Sequence, residues 1–459
     1  MSAPGFVTVN PSTGEQLETF SFQTPAVIET ALSRADSSFR SFRKLSVHRR
    51  AHLLSSLADA LRKNRAALAK VITTEMGKVI AEAEAEVEKC AREADWYAEN
   101  GPRMLADAPA ATGSVNAYVS YLPLGPILAV MPWNFPIWQL TRMAIPTLLA
   151  GNVVLVKHSQ NTQRSSLEFE RIVREAGFPD DVVQNLIVRR QDVVSIINDS
   201  RVQGASVTGS VAAGSAVASE AGKVIKKTVM ELGGSDAFIV CEDADIPRAV
   251  AAGVRGRFSN AGQVCLAAKR FILLEKIANE FEERFVDTVT SLRVGDPFNP
   301  ANQMGPMART DLRDSLHGQV QGSVSKGARV LCGGKPVEGA GAFYKPTVLS
   351  GVRRGMPAFD EETFGPVAAL TRVPDVEEAV QEANASQFGL SGNLWTRDVE
   401  GARRIAGDLN TGGVFINGVS ASDPRVPVGG VKNSGYGREL SHLGALEFVN
   451  AQTVWIEDV

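Results

Sequence analysis

Cys265 lies in the segment SNAGQVCLAAKRFILL, where a small, polar, glycine-containing loop leads into an apolar run. A thiolate is a nucleophile, and its own backbone N–H can help to stabilise the oxyanion that its attack creates. A lone cysteine in apolar surroundings is more often inert packing. The loop before Cys265 nevertheless favours catalysis, because it can bring both the side chain and the N–H into a cleft.

A cysteine nucleophile normally needs a base, and none of the five histidines, at 48, 52, 158, 317 and 442, lies in a glycine-framed loop. A papain-like Cys–His pair is therefore a weak hypothesis. Glu231 in MELGG is a better candidate, because it ends a probable strand, where open α/β sheets place their sites. Taken alone, a glutamate is more often a solvated surface residue.

The segment MPWNFPIW, residues 131–138, holds Asn134 between two aromatic residues and two prolines. The prolines restrict the backbone, and a preorganised amide is a better oxyanion donor than a mobile one. A structural asparagine that closes a turn explains the local pattern equally well.

The signals for a nucleotide are modest one by one. No GxGxxG motif follows a strand, so the usual dinucleotide fingerprint is missing. The segment VTGSVAAG predicts a strand, then Gly209 and Ser210, then a helix whose N-terminus can face a pyrophosphate. In LVKHSQ, Lys157 ends another probable strand, within reach of a ribose hydroxyl.

Composition excludes several classes of function. With 459 residues, the chain is too long for one ordinary core, and two domains with a small appendage are expected. A net charge of −3 gives no global electrostatic case for binding nucleic acid or an anionic membrane. The four cysteines show no CxxC spacing and no Cys/His cluster, which argues against a metal site and fits a reducing compartment.

The N-terminus lacks the basic flank and apolar run of a signal peptide. The uncharged segment 122–141 has the length of a membrane span, but its four prolines remove too many backbone donors. We therefore expect a cytoplasmic protein that binds neither a membrane nor nucleic acid.

The elements that must position these residues follow an α/β pattern. Residues 26–98 have helical periodicity, with Gly101 as a plausible C-cap. From residue 151, short apolar strands alternate with helices, which predicts a doubly wound parallel sheet. A second α/β series begins near TVMELGGSDAFIV and runs to about residue 430. The C-terminal ALEFVNAQTVWIEDV predicts an exposed strand that pairs with NAYVSYL or with a partner subunit.

Taken together and in order, PWNFP, VKHS, VTGS, ELGG and GQVC resemble the aldehyde dehydrogenase superfamily, as do EETFGP (361–366) and GGVKNSGYGRE (429–439). The resemblance covers nearly the whole chain and is greatest to the shorter bacterial NAD(P)-dependent succinate-semialdehyde dehydrogenases. It implies an α/β fold with a Rossmann-type NAD(P)-binding domain (1–103 and 124–231), a catalytic domain (232–430) and a small β oligomerisation arm (104–123 and 440–459). It also implies a homodimer or homotetramer.

The resemblance further implies a role for each matching residue. Cys265 is the expected nucleophile, Glu231 the general base for the deacylating water, and Asn134 the oxyanion donor beside the Cys265 N–H. The residues expected to bind NAD or NADP are Trp133, Lys157, His158, Ser159, Gln160, Gly209, Ser210, Leu232, Glu362 and Phe364. The expected reaction is oxidation of an aldehyde to a carboxylic acid through a thiohemiacetal and a thioester.

Three positions bear on specificity. Gln160 stands where NAD-preferring members carry a glutamate, and losing that carboxylate removes repulsion against a 2′-phosphate, so both cofactors are expected. Ser259 stands where the longer succinate-semialdehyde enzymes carry a carboxylate-binding arginine. Arg142 matches the family's other carboxylate-binding arginine and Arg425 could help from the opposite loop, while a surface salt bridge is an open alternative for both.

Succinate semialdehyde is the expected substrate. Another short aliphatic or dicarboxylic semialdehyde is an alternative within the same family. A nucleotide-independent cysteine thiol hydrolase that uses Cys265 and Glu231 is an alternative from a different class.

Overall fold

The computed structural model describes residues 5–112 and 116–457 of the chain. Residues 1–4, 113–115 and 458–459, which the predicted domain and arm ranges include, lie outside the described residues. A short antiparallel hairpin, β1 (Gly5–Val9) and β2 (Gln16–Ser21), opens the described chain.

Four helices follow the hairpin in the region of predicted helical periodicity: α1 (Pro25–Phe42), α2 (Val47–Lys63), α3 (Arg65–Met76) and α4 (Ile80–Met104). The side chains of Thr24 and Ser46 cap the first two by accepting from backbone N–H groups. The prediction that Gly101 ends the fourth helix is wrong, because α4 continues through it. A Cβ at Gly101 would lie 2.0 Å from Leu149 Cδ2, so this glycine permits close packing instead.

A six-stranded sheet is built on residues 126–231, in the order β19-β9-β8-β5-β6-β7. All its pairs are parallel except β19–β9. Its strands are β5 (Pro126–Met131), β6 (Val153–His158), β7 (Val183–Asn185), β8 (Gly204–Thr208), β9 (Lys227–Glu231) and β19 (Gly435–Tyr436). The helices that connect them are α5 (Trp138–Ala150), α6 (Gln163–Glu175), α7 (Asp192–Asn198) and α8 (Val211–Lys223). Buried parallel strands of this kind read as continuous apolar runs, as the sequence does.

A seven-stranded sheet occupies residues 236–416, in the order β12-β13-β14-β11-β10-β16-β17. Its strands are β10 (Asp236–Val240), β11 (Ala268–Leu274), β12 (Arg329–Cys332), β13 (Thr347–Ser350), β14 (Val367–Val373), β16 (Ser391–Trp395) and β17 (Gly413–Ile416). The remaining helices are α9 (Ile246–Phe258), α10 (Glu275–Thr290), α11 (Thr310–Ser325), α12 (Pro357–Asp360), α13 (Val376–Asn384), α14 (Val399–Asp408) and α15 (Ser441–Ala445). A two-stranded piece pairs β15 (Phe388–Gly389) with β18 (Val431–Lys432). One sheet gives way to the other between Glu231 and Asp236, while the division into domains at 231/232 stays a prediction.

The third sheet is the arm, formed by β3 (Ala108–Ala111), β4 (Asn116–Pro123) and β20 (Val449–Ile456) in the order β20-β4-β3. The antiparallel register runs from Pro123 opposite Val449 to Asn116 opposite Ile456. Of the two pairings that the sequence left open for the C-terminal strand, the one with NAYVSYL is present.

None of the helices in the described ranges is long and apolar enough to cross a bilayer. The uncharged segment 122–141 is divided between β4, β5, the Asn134 loop and α5.

Candidate active site

Cys265 follows α9 by a short 3-10 turn, Ser259–Gly262, and precedes β11. Three consecutive residues of that turn have left-handed backbone conformations, with φ of 52° at Asn260, 51° at Ala261 and 72° at Gly262. Such conformations are unfavourable for residues with a Cβ and persist only where surrounding contacts determine them.

Those contacts come from three directions. The Asn260 N–H donates to both carboxylate oxygens of Glu82, at 3.1 and 3.0 Å, and Asn260 Nδ2 donates to the Asn134 carbonyl at 2.8 Å. The fully buried Gln263 donates to the Asn260 carbonyl at 3.0 Å and accepts from the Ala308 N–H at 2.8 Å. The nucleophile loop is therefore held in one conformation.

Asn134 is joined directly to that loop. It is 4% exposed, and its Nδ2 donates to the Gln263 carbonyl at 3.0 Å. An amide nitrogen carries two hydrogens, so one N–H of Asn134 is available for an oxyanion formed on Cys265. The structure thus brings together two of the predicted catalytic residues.

The Asn134 loop is anchored from α4, which the sequence analysis missed. Glu86 accepts from the N–H groups of Ile137 and Trp138 at 2.9 and 3.0 Å, and it forms a fully buried ion pair with Lys78 at 2.5 Å. Lys78 Nζ also lies 3.5 Å from the centroid of the Phe135 ring. The spacing of Glu82 and Glu86, four residues apart on one face of α4, was the available signal.

Glu231 ends β9, as predicted, and is 2% exposed. Its Oε1 has no hydrogen-bond partner in the described part of the chain. Arg142 Nη2 lies 3.7 Å from Glu231 Oε2, and Arg142 Nε lies 2.6 Å from Glu439 Oε2. Burial, reinforced by the charge of Glu439, raises the pKa of Glu231 to about 8. The carboxyl can therefore accept and release a proton near neutral pH.

The Cys265 thiol has a raised pKa, chiefly because it is buried. The positive charges of Arg142 and Lys269 oppose this effect, and the carboxylates Glu231 and Glu362 add to it. At rest the sulfur is therefore protonated, and it needs a base to become a nucleophile.

Lys269 is fully buried and was not predicted as a site residue. Its Nζ donates to the carbonyls of Val264 and Cys265, at 3.1 and 2.7 Å, and lies 3.2 Å from Glu362 Oε1. All three ammonium hydrogens thus have acceptors. Lys269 ties the nucleophile loop to Glu362.

Glu362 and two predicted aromatic residues lie on the same side as Lys269. Glu362 Oε1 accepts from the Gly234 N–H at 2.9 Å. A Cβ at Gly233 would lie 2.4 Å from Glu362 Oε2, so only glycine permits this approach. The rings of Trp133 and Phe364 pack edge to face, with centroids 5.6 Å apart.

Three of the predicted cofactor residues, Lys157, Ser159 and Gln160, line one cavity of about 460 Å³ at the carboxyl end of β6. Arg190 and Arg309 line it as well. Burial lowers the pKa of Lys157, and the charge of Arg190 lowers it further. Neither Lys157 nor Arg190 forms an ion pair within the described ranges.

Gly209 and Ser210 lie between β8 and α8. Ser210 caps α8, its hydroxyl accepting from the Ala213 N–H at 3.3 Å. Gly214, one turn into α8, packs against Leu232, whose Cδ2 would lie 2.5 Å from a Cβ there. The helix N-terminus and the predicted Leu232 are thus next to each other.

His158 is placed differently from its prediction. It is 2% exposed, and both ring nitrogens are engaged, Nε2 with the Pro136 carbonyl at 2.9 Å and Nδ1 with the Thr162 hydroxyl at 3.0 Å. Burial lowers its pKa to about 4, so the ring is neutral. Successive strand residues face opposite sides, which turns His158 away from the side of Lys157. Its contacts are structural rather than cofactor-facing.

The side chains of the three predicted substrate-binding residues each contact other protein groups. Arg142 is 1% exposed and held between two carboxylates, so the surface alternative for it is wrong. The Ser259 hydroxyl hydrogen-bonds Glu82. The Arg425 side chain is 73% exposed and pairs with Asp423 at 2.7 Å, which matches the surface alternative.

The chain is similar to known proteins over nearly its whole length. A family model described as the aldehyde dehydrogenase family matches residues 2–454. The NAD(P)+ succinate semialdehyde dehydrogenase Sad of Escherichia coli (strain K12) is 50% identical over 449 residues, covering 98% of this chain and 97% of that protein. The NADP+ succinate-semialdehyde dehydrogenase of Mycobacterium avium (strain 104) is 46% identical over 453 residues, covering 98% and 96%.

Solved structures show the same likeness. The crystal structure of succinic semialdehyde dehydrogenase from Streptococcus pyogenes in complex with NADP+ has a TM-score of 0.97 at 37% identity, covering 99% of this chain and all of that one. The structure of succinate-semialdehyde dehydrogenase from Burkholderia pseudomallei has a TM-score of 0.96 at 33% identity, covering 99% and 94%.

Proposed function

The chain belongs to the aldehyde dehydrogenase family and is an NAD(P)-dependent enzyme of that family, and from this premise we propose that it oxidises succinate semialdehyde to succinate. The observation that carries the proposed mechanism is the meeting of Asn134 with the Cys265 loop through the Gln263 carbonyl, with Glu231 buried and close enough for its charge to act on Cys265. The identity of 46–50% to relatives named succinate-semialdehyde dehydrogenases supports the substrate.

In the proposed mechanism, the Cys265 thiol gives its proton to solvent water and the sulfur attacks the aldehyde carbon. The resulting oxyanion accepts hydrogen bonds from the free N–H of Asn134 and from the Cys265 N–H. Loss of hydride from the tetrahedral carbon leaves a thioester on Cys265. Glu231 then draws a proton from water, and hydrolysis releases the carboxylic acid and the thiol.

The residues present fit a dinucleotide. Lys157 and Arg190 are cations without a carboxylate partner in the described ranges, which suits a phosphate or ribose group in their cavity. Glu362, held by Lys269 and Gly234, offers carboxylate oxygens to the hydroxyls of the second ribose. When bound, NAD(P)+ supplies the hydride acceptor.

We also propose that the arm joins subunits of a homodimer or homotetramer. The outer edge of β20 has no strand partner within the described residues, and Trp455 and Ile456 on that strand are 54% and 46% exposed. An exposed edge strand with apolar side chains favours pairing with a second chain. The cytoplasmic location stays a prediction.

The test is kcat/KM for succinate semialdehyde and for butanal, each with NAD and with NADP, measured by the absorbance of the reduced cofactor. We expect turnover with both cofactors and a clear preference for the semialdehyde. Hydrolysis of esters without reduction of either cofactor would instead support the thiol hydrolase alternative.

A further inference from the structure

A substrate that carries a carboxylate needs a positive charge near the aldehyde site, and the predicted residues do not supply a free one. Arg142 pairs with Glu439 at 2.6 Å, and Arg425 pairs with Asp423 at 2.7 Å. Ser259 carries no charge. Another cation is therefore required if the enzyme prefers a semialdehyde.

Lys89, on α4, is such a cation. Its Nζ donates one hydrogen bond, to the Ser422 hydroxyl at 2.8 Å, and lies 4.1 Å from the centroid of the Trp138 ring. Over the described ranges, no carboxylate lies within ion-pair distance of it. An ammonium has three donors, so two are left for a ligand.

The contacts of Lys89 connect it to the catalytic residues. Trp138 begins α5 directly after the Asn134 loop, and its Nε1 donates to the same Ser422 hydroxyl at 3.0 Å. Arg142, one turn further along α5, is close enough for its charge to act on Lys89. It is also 3.7 Å from the carboxylate of Glu231. Lys89 is thus within range of the charge of the arginine that lies beside the catalytic base.

We propose that Lys89, assisted by the Ser422 hydroxyl, binds the carboxylate of the substrate and so determines the preference for an acidic over a neutral aldehyde. The inference rests on the proposed function, because it names the residue that recognises that function's substrate class. A carboxylate would complete a charge-assisted pair for an ammonium that the protein leaves without one.

The charges around Lys89 give this binding a pH dependence. Burial, followed by the charge of Arg142, lowers the pKa of Lys89 to about 8, while Cys90, Glu93 and Glu86 act in the opposite direction. The charge of Lys89 also contributes to the lowered pKa of Asp423. The free lysine therefore loses its proton as pH rises through about 8, and KM for succinate semialdehyde should rise there. KM for butanal should show no such rise.

The test compares wild type, Lys89→Met and Lys89→Arg with succinate semialdehyde and butanal, and measures inhibition by succinate as a second readout of carboxylate binding. Lys89→Met should lower kcat/KM for the semialdehyde about 10–100-fold, mainly through KM, because a hydrogen bond to a charged group contributes about 1.5–3 kcal/mol. It should weaken inhibition by succinate to a similar extent and change kcat/KM for butanal less than about 2-fold. Lys89→Arg keeps the charge and should keep most of the preference.

A matched control is Lys276→Met, which removes a lysine whose side chain is 75% exposed and pairs with Glu242 on the surface. It should leave both substrates unchanged. Equal losses for the two aldehydes in Lys89→Met, or a preference that persists in it, would overturn the inference while leaving the proposed function in place. If wild type itself fails to prefer the semialdehyde, the proposed substrate and the inference are both wrong.

Discussion

On one side of the active site, the loops that carry Cys265 and Asn134 are hydrogen-bonded to each other and to α4, whereas on the other side Glu231, Arg142 and Glu439 are buried together with incomplete partners. Gln263 alone takes part in five hydrogen bonds with its neighbours, at 2.8–3.3 Å. Neither oxygen of Glu439 accepts an aligned hydrogen bond within the described ranges, despite the 2.6 Å ion pair with Arg142.

The two arrangements suit two different tasks. Oxyanion stabilisation requires donors that do not reorganise during the reaction, which a dense hydrogen-bond network provides. A general base at neutral pH requires a carboxyl whose proton affinity is raised, which burial with few partners provides. The nucleophile side, with the Cys265 and Asn134 loops, is therefore held in one conformation. The base side, with Arg142 and Glu439, raises the pKa of Glu231. The following experiments separate these two contributions.

The largest effect is expected from Cys265→Ala, because Cys265 is the residue on which both sides act. We expect loss of turnover by about 10⁴-fold or more, since no covalent intermediate can form. The measurement is the steady-state rate of cofactor reduction, with circular dichroism to establish that the variant is folded. Turnover within tenfold of wild type would show that Cys265 is not the nucleophile.

The next largest effect is expected from Glu231→Gln, which removes the base and leaves the oxyanion donors intact. Steady-state kcat should fall about 10²–10⁴-fold through slow hydrolysis of the thioester. A burst of reduced cofactor should precede the slow phase in rapid mixing experiments. The wild-type pH profile of kcat should rise as Glu231 loses its proton near a pKa of about 8, and the variant should lack this rise.

An unchanged steady rate in Glu231→Gln would remove this residue from the mechanism. A matched control is Glu242→Gln, which alters a surface carboxylate just after β10, paired with Lys276. It should change neither the burst nor the pH profile.

A smaller effect is expected from Asn134→Ala, which breaks the ordered side alone. Both the burst rate and kcat should fall about 10²–10³-fold, because the oxyanion forms in acylation and again in deacylation. The pH profile should keep its rise near the pKa of Glu231. If Asn134→Ala slowed only the steady phase, it would resemble a base variant, and the comparison between the two sides would fail.

The smallest effect is expected from Glu93→Gln. This variant tests, through the stability of the fold, whether a buried carboxyl near Arg142 on the base side has a raised pKa. Glu93 is fully buried, and burial raises its pKa to about 8 from an ordinary value near 4.5. Between pH 4.5 and about pH 8, Glu93 is therefore protonated in the folded protein and ionised in the unfolded chain. The stability contributed by this protonation is complete below pH 4.5 and is lost as pH rises through about 8.

Glutamine mimics the protonated side chain at every pH. The Tm of Glu93→Gln relative to wild type should therefore increase between pH 6 and pH 9, by about 1 °C for each kcal/mol of wild-type stability lost in a chain of 459 residues. The measurement is thermal unfolding by calorimetry at both pH values. A Tm difference that does not change with pH would show that Glu93 titrates normally.

Much of the fold followed from local pattern. The strands that end in His158, Thr208 and Glu231 are short apolar runs, and their carboxyl ends meet at one edge because parallel strands align there. The meeting of Asn134 with the Cys265 loop also followed from motifs in a known order. The face of the sheet on which His158 lies was predictable in principle, since alternation along a strand places neighbouring side chains on opposite faces.

What the sequence could not reveal are contacts between distant segments. Glu82 and Glu86 look like ordinary acidic residues of an amphipathic helix, yet each is bonded to backbone N–H groups of a catalytic loop. Arg142 was predicted to meet the substrate, but its partner Glu439 comes from the far end of the chain. Gly101 was predicted to end a helix because the residues around it do not show its close contact with Leu149, which comes from a distant part of the chain.

The return of the C-terminal segment to the first sheet has a consequence for how the enzyme is made. The β19 strand pairs Gly435 with Glu231, Leu232 N–H donates to the Ser434 carbonyl, and Glu439 completes the surroundings of Arg142. A ribosome adds residues from the N-terminus, and early domains fold while later ones are still being synthesised. Cys265 and Asn134 can therefore be in place on a nascent chain whose catalytic base still lacks its neighbours. Activity should appear only after nearly the last residue has been translated.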